Sequence, residues 1–367
     1  VGWIVLEMTD SAFMVGVAMG LRRAPQFVLG IFAGAVLDMV DRRLFMPFIN
    51  AIVALPNIAI ALLLVAGWLE IWHVMVLVLL SGIMIPFVHT ARQSFTYDIV
   101  GPSLAMQGLA GVVLVSRAGG LVGAVVIGVI IWRVGLEPAF FAIGAAQIVS
   151  GLVMLMVRSA GQAAPLVRES VTANLKGFLR EVRHNRVLLQ LVFFTGAVEM
   201  LGFSHMTLLP SLARDVLNVG PAGLGVMNGI QSAGGILGAI ALASMGDVRR
   251  KGLLFLVVVH VFGVALVLLG MSNTLVLAMV LLTVVSAMTA LTDVLSQTLM
   301  QLNVPNELRG RAMGSWVVAI GISPIGHMQI GALASLVSVG FALSFSGLAL
   351  VALAAGLTLL SGRLRRL

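Results

Sequence analysis

Four ionisable side chains fall where a long apolar run has little use for charge. Arg22 and Arg23 lie well inside one such run, Arg117 inside a second and Glu199 inside a third. A charge at the centre of a bilayer costs roughly 2.5–3.5 kcal/mol on insertion scales, so one that persists there has a task. Three guanidiniums against one carboxylate suit recognition of an anionic group. The carboxylate suits proton uptake and release, because burial favours the neutral acid and a neighbouring guanidinium favours the anion. We expect Arg22 or Arg23, with Arg117, to face a central cavity, and Glu199 to carry the proton. The competing reading is an Arg–Glu pair that fixes helix register. His205, farther along the run of Glu199, would extend the proton path or be a satisfied interhelical histidine. Asn228 and Gln231 would bond a ligand or a neighbouring helix. Glu7 and Asp10 read as solvated surface charges.

These groups need elements to hold them at depth. Hydrophobic residues make up 60% of the 367 positions and charged residues 10%, and mean hydropathy is +1.12. Residues 252–292 and 312–362 carry no Asp, Glu, Lys or Arg at all. Runs that long and that apolar, repeated along a chain, belong in lipid as helices of about 20 residues each. The sequence predicts an all-α polytopic membrane protein with spans near Ala12–Val36, Leu44–Gly67, Ile71–Thr90, Ala105–Trp132, Pro138–Val157, Val187–Ala213, Pro221–Met245, Gly252–Gly270, Thr274–Leu302, Ala312–Val337 and Gly340–Leu360. The apolar residues 1–9 are too few to cross about 30 Å of hydrocarbon and read as the tail of a first span whose start precedes Val1.

The loops carry the orientation. Of the 22 lysines and arginines, only Arg133 and Arg214 fall on one side of this layout, and Arg22, Arg23 and Arg117 lie within spans. All the others collect on the opposite side, among them Arg42, Arg43, Arg92, Arg249, Arg250, Lys251, Arg309, Arg311 and Arg363. The positive-inside rule makes that side cytoplasmic, with the linker and the C-terminus on it. The polar stretch 158–186 separates an N-terminal bundle, 1–157, from a C-terminal bundle, 187–367. Within it Val171, Leu175, Phe178 and Val182 recur at helical spacing, which suits an amphipathic helix on the inner leaflet or a plain solvated linker. The halves echo one another. Asp38, Asp41, Arg42 and Arg43 follow the second span as Asp247, Arg249 and Arg250 follow the eighth. Two six-helix halves related by duplication suit a transporter whose site lies between them.

The stretch from Gln301 to Gly314 (QLNVPNELRGRAMG), continuing through Gly321–Gly326 and Gly331–Ala334, resembles the major facilitator superfamily, in the bacterial exporter branch with enterobactin-exporter-like and macrolide-efflux-like proteins. The loop Gly34–Asp38 with Asp41-Arg42-Arg43 matches the superfamily's loop motif except that Met39 replaces its arginine. Arg117-Ala118-Gly119-Gly120 is similar to the antiporter motif of the fifth helix, with Leu121 where that motif has proline. The resemblance covers essentially the whole chain. It implies two pseudo-symmetric six-helix bundles meeting along helices 2, 5, 8 and 11. The small-residue pairs Gly16/Gly20, Gly30/Gly34, Gly119/Gly123 and Gly234/Gly238 would let helix backbones approach closely. The loop charges Asp38, Asp41, Arg42, Arg43, Asp247, Arg249 and Arg250 would lock the outward-facing state as ion pairs or serve as positive-inside anchors, and Asp293, towards the end of helix 10, would gate with Arg309 or Arg311 or act as a simple cap.

Several classes are excluded. The chain has no cysteine, hence no thiol catalysis or thiolate metal site, and it has no zinc spacing or phosphate loop. It reads as neither an enzyme nor a cofactor protein, and its net charge of +8 orients helices rather than binding nucleic acid. The expectation is a monomeric exporter in the cytoplasmic (inner) membrane of a bacterium. It would move a small amphiphilic molecule, a siderophore or a drug, in exchange for protons by alternating access, with substrate, protons and lipid as its partners. A non-transporting sensor or scaffold that kept the fold is the alternative.

Overall fold

The computed structural model describes residues 1–37, 40, 42–101, 104–157, 186–246, 248–303 and 319–360. The described chain is helical, with no strand: α1 Gly2–Thr9, α2 Ala12–Leu37, α3 Arg42–Val65, α4 Ile71–Val100, α5 Ala105–Val134, α6 Leu136–Leu155, α7 Arg186–Leu201, α8 Gly220–Ser244, α9 Lys251–Gly270, α10 Leu275–Leu302, α11 Ser323–Leu336 and α12 Val339–Leu360. Nine of the described stretches are long and apolar enough to cross a bilayer. Hydrocarbon offers the backbone no hydrogen-bond partner, so each crossing closes its own bonds as a helix.

Two elements differ from the sequence reading. Helix α4 runs to Val100 rather than Thr90. Arg92 and Gln93 leave the apolar layer without leaving the helix, since propagating a formed helix is far easier than starting one. The seventh span is broken. Its α-helix stops at Leu201, a 3₁₀ stretch covers Phe203–Leu208, and a short turn then leads into a π segment over Leu212–Val216. Gly202 at the break packs against the Phe262 ring of α9.

Packing separates lipid-facing from protein-facing stripes on helices that are apolar all round. On α9, Val257, Val261, Val264 and Leu268 are exposed, while Phe255, Val258, Val259, Phe262 and Leu266 are buried. With no hydrophobic gain from helix association in lipid, close backbone approach does the work. In the second half, Gly263 of α9 lies against the Gly347 carbonyl of α12, and a β-carbon there would come within 2.7 Å of it. The first half repeats the scheme. Helix α3 packs on α6 as α9 packs on α12, and α2 packs on α4 as α8 packs on α10. The halves meet along two seams, α2 with α11 and α5 with α8.

The two faces differ in chemistry. Arg249 and Arg250 are exposed in the turn between α8 and α9. Trp68, Trp72 and Trp132 are exposed at the other ends of the spans, where amphipathic rings favour the membrane–water boundary. The Trp72 indole N–H donates to Glu70 Oε2 at 2.7 Å, and the Arg133 guanidinium lies over the Trp132 ring, 4.4 Å from its centroid.

Candidate functional site

Both seams bring backbone close to backbone towards the tryptophan face. On α2, a β-carbon at Gly16 would overlap the His327 carbonyl of α11, and one at Gly20 would come within 3.1 Å of the Pro324 carbonyl. In return, Gly331 of α11 presses on the Ala12 carbonyl, and the Phe13 amide donates to Ser335 Oγ at 2.8 Å. Between α5 and α8 the close approach is Gly128 against Gly225, where an added β-carbon on either would lie 2.8 Å from the other's Cα. Of the glycine pairs expected to do this, Gly16/Gly20 does, and two others are used differently. Gly119 and Gly123 of α5 meet nothing within 4 Å, and Gly234 and Gly238 of α8 face the Thr283 and Ala287 carbonyls of α10, inside the second half. Gly30 and Gly34 lie where only the helix backbone is described.

A clasp crosses the same face. Arg214, at the end of the broken seventh span, donates from Nη1 to the Leu6 carbonyl at 3.0 Å, from Nε to Asp215 at 2.6 Å, and from Nη2 to Asp10. Asp10, read from sequence as a solvated charge, thus ties the first half to the second. Its left-handed backbone, φ 49°, turns the chain from α1 into α2.

Beneath these contacts lies a polar layer. The His205 ring is buried, its Nδ1 2.7 Å from the Gly202 carbonyl and its Nε2 3.2 Å from Gln231 Nε2. With the Gln231 amide as donor, Nε2 accepts and Nδ1–H donates to the carbonyl, so both ring nitrogens of a neutral imidazole are satisfied. His327 of α11, which the sequence reading passed over, bonds through Nδ1 to Thr207 Oγ1 at 2.7 Å. Asn228 turns away from this layer and donates to the Leu224 carbonyl of its own helix at 2.9 Å.

The central ionisable groups come from both halves. Arg23 of α2 is exposed, Arg117 of α5 and Asp293 of α10 are half-buried, and Glu199 of α7 is 5% exposed. They are close enough for their charges to interact: Arg23 and Asp293 act on Glu199, and Arg117 and Arg23 act on Asp293. None of the four closes an ion pair among the described residues. Of the neighbouring arginines, Arg23 faces this group and also His327, while the Arg22 backbone packs under Gly82 of α4. Arg117 reaches across the α5–α8 seam by laying its guanidinium on Gly235, where a methyl group would collide with it. Asp293, expected as a gate towards the end of this helix, is half-buried, and Arg117 and Arg23 act on its charge. Its expected partners Arg309 and Arg311 fall outside the described residues, as do Asp38, Asp41, Asp247 and the linker, and for Arg42 and Arg43 only the helix backbone is described. Arg249 and Arg250 are exposed at the turn.

The Major Facilitator Superfamily profile matches residues 2–327. The chain belongs to that superfamily. Its relatives include the multidrug efflux pump Tap of Mycolicibacterium fortuitum, 28% identical over 90% of this chain and 83% of that protein. They also include the enterobactin exporter EntS of Citrobacter koseri, 25% identical over 98% of this chain and 86% of that one. Among solved structures, the nucleoside transporter NupG superposes with a TM-score of 0.74 at 14% identity, covering 98% of this chain and 93% of that one. A bacterial homologue of the lysosomal transporter Spinster, inward-facing and unoccupied, gives 0.67 at 14%, covering 97% and 89%. The superfamily and these relatives are transporters rather than enzymes. This chain is accordingly a multi-pass membrane protein with the superfamily's paired six-helix architecture and general transport role.

Proposed function

We propose that this superfamily member is a secondary exporter that carries a small amphiphilic molecule, siderophore or drug, out of a bacterial cell in exchange for protons by alternating access. The observation that carries the reading is the meeting of Arg23, Arg117, Glu199 and Asp293 from both halves beneath seams closed on the tryptophan face. A site shared by two bundles is exposed to either side as they rock, whereas a site within one bundle is not. The exporter names of Tap and EntS support the direction of transport. The concentration of arginines on one face supports a cytoplasmic placement of that face, the linker and the C-terminus, in the inner membrane. We assign the proton to Glu199, the most buried of the four groups, and place Asp293 beside it as the second carboxylate. The chain acts as a monomer, with substrate, protons and lipid as its only partners.

The test is transport by inverted membrane vesicles. Acidifying the lumen should drive uptake of a fluorescent amphiphile, and a protonophore should abolish it. Uptake that ignores the gradient contradicts proton exchange, and no uptake of any amphiphile, drug or siderophore favours a scaffold that has lost transport.

A further inference from the structure

We propose that α5 and α8 part towards the arginine-rich face into a crevice open to the adjoining leaflet, which takes an anionic amphiphile with its charged group against Arg117 and its chain between the two helices. The basis is the way contact along this seam ends. Towards the tryptophan face α8 sets Gly225 against Gly128 and Ser232 against Gly120. The last of these glycine contacts is the Arg117 guanidinium on Gly235. One turn farther, the same stripe of α5 carries Val113 and Leu114, and the same stripe of α8 carries Ala239 and Ala243. All four are exposed, Val113 and Leu114 at 59% and 56%. Lipid contact on the outer side of α5 does not account for this. Val113, Leu114, Val115 and Ser116 point about 100° apart and so cover every direction round the helix, yet each of them is exposed. A helix bared all round borders an opening on its inner side.

The walls select the occupant. From Ala105 to Trp132 the one charged residue of α5 is Arg117, and α8 carries none from Gly220 to Ser244. Below Arg117 the side of α5 that faces α8 is as apolar as the side that faces lipid. Water in such an opening would wet apolar surface on both walls, and an alkyl chain removes that surface from water. Alanine at 239 and 243 leaves width for the chain. At the closed end the guanidinium offers an anion charge-assisted hydrogen bonds, and it closes no ion pair among the described residues. A cation finds no counter-charge on either wall. The inference rests on the exporter reading only for its use: there the crevice is the way by which a substrate dissolved in the membrane reaches the seam.

The experiment uses the full chain in lipid nanodiscs. The chain has no cysteine, so a nitroxide at Leu114→Cys reports the crevice. A second at Val122→Cys, exposed on the side of α5 away from α8, is the lipid reference. Molecular oxygen should relax both labels and the water-soluble nickel–EDDA complex neither. Nickel collisions at Leu114→Cys mean a water-filled vestibule, and shielding from both reagents means a closed seam; either result overturns the proposal. Laurate is then titrated against dodecyltrimethylammonium, an amphiphile of similar length and opposite charge. Laurate should slow the Leu114→Cys label and leave the Val122→Cys label unchanged. The cation should need roughly tenfold or more of the same lipid mole fraction for an equal effect. Arg117→Gln should raise the laurate requirement about tenfold with oxygen access unchanged, and Ala239→Trp, which fills the gap from an exposed position, should abolish the response. Equal responses to the two amphiphiles, no response to either, or a laurate response indifferent to both substitutions overturns the proposal. The exporter reading fails separately. A laurate response without gradient-driven flux in vesicles removes transport and leaves the site, whereas flux indifferent to Ala239→Trp removes the site and leaves transport.

Discussion

At the scale of single residues, groups of similar type sit in different surroundings. Glu199 is enclosed, and if it carries the proton as proposed, Glu199→Gln should lower gradient-driven efflux about tenfold or more while leaving substrate binding in place, and Glu199→Asp should restore part of it. Stopped-flow dye efflux at two imposed pH gradients separates these outcomes. Gly235→Ala should cost efflux without introducing or removing any charge, because the added methyl displaces the Arg117 guanidinium; unchanged efflux would show that Arg117 acts from elsewhere. The charges themselves were legible in the sequence, since an arginine or glutamate inside an apolar run stands out. Their partners were not. Asp293 looks like a helix-end charge in its local sequence, and the contact of Arg117 with Gly235 exists only because α5 packs on α8. His327 was missed for the same reason, as one polar residue in a long uncharged run. The close glycines Gly326 and Gly331 around it were the available signal that this part of α11 faces another helix.

At the scale of elements, two devices hold the tryptophan face shut, and their magnitudes differ. Asp10 is 84% exposed beside Arg214, and exposed ion pairs contribute only about 0–1 kcal/mol. The glycine contacts are backbone on backbone, and forcing a side chain into such a contact costs typically about 1–3 kcal/mol. Gly225→Val should therefore open this face more than Arg214→Gln does. Because the chain has no cysteine, Phe13→Cys with Ser335→Cys provides a clean spin-label pair across the α2–α11 seam, and the two variants can be ranked by its distance distribution. A larger effect from Arg214→Gln would mean that the clasp rather than the glycine seam governs closure. The helices themselves were readable from apolar length. The break in the seventh span was not, because Gly202, Ser204 and His205 interrupt the apolar run too briefly to read as a stop. Gly-x-x-x-Gly spacing identified one seam and missed the other: Gly16 and Gly20 lie against α11, whereas Gly119 and Gly123 meet nothing and the α5–α8 approach is made by Gly128 and Gly225, outside any such pair in the sequence reading.

At the scale of the molecule, the fold is a duplicated bundle whose loop arginines, by sequence, collect on one side of the layer, and whose central charged groups come from both halves. The first was visible in the sequence because loop charge is a local property. The packing of α2 on α11 and of α5 on α8 required both halves to be placed against each other. The layout predicts that a membrane-impermeant reagent reaches Arg133→Cys but not Arg249→Cys in intact cells, and equal labelling of both would contradict the twelve-span arrangement. The central claim is that the same four charges are presented alternately to either side of the membrane. Its most direct test measures two distances in one sample set, with spin labels at Phe13→Cys/Ser335→Cys near the tryptophan face and at Val115→Cys/Ile240→Cys nearer the arginine-rich face, in nanodiscs titrated from high to low pH. Protonation of the central carboxylates should lengthen one distance as the other shortens, with Glu199→Gln frozen at one end of the exchange. Two distances that stay fixed together across the titration would contradict alternating access.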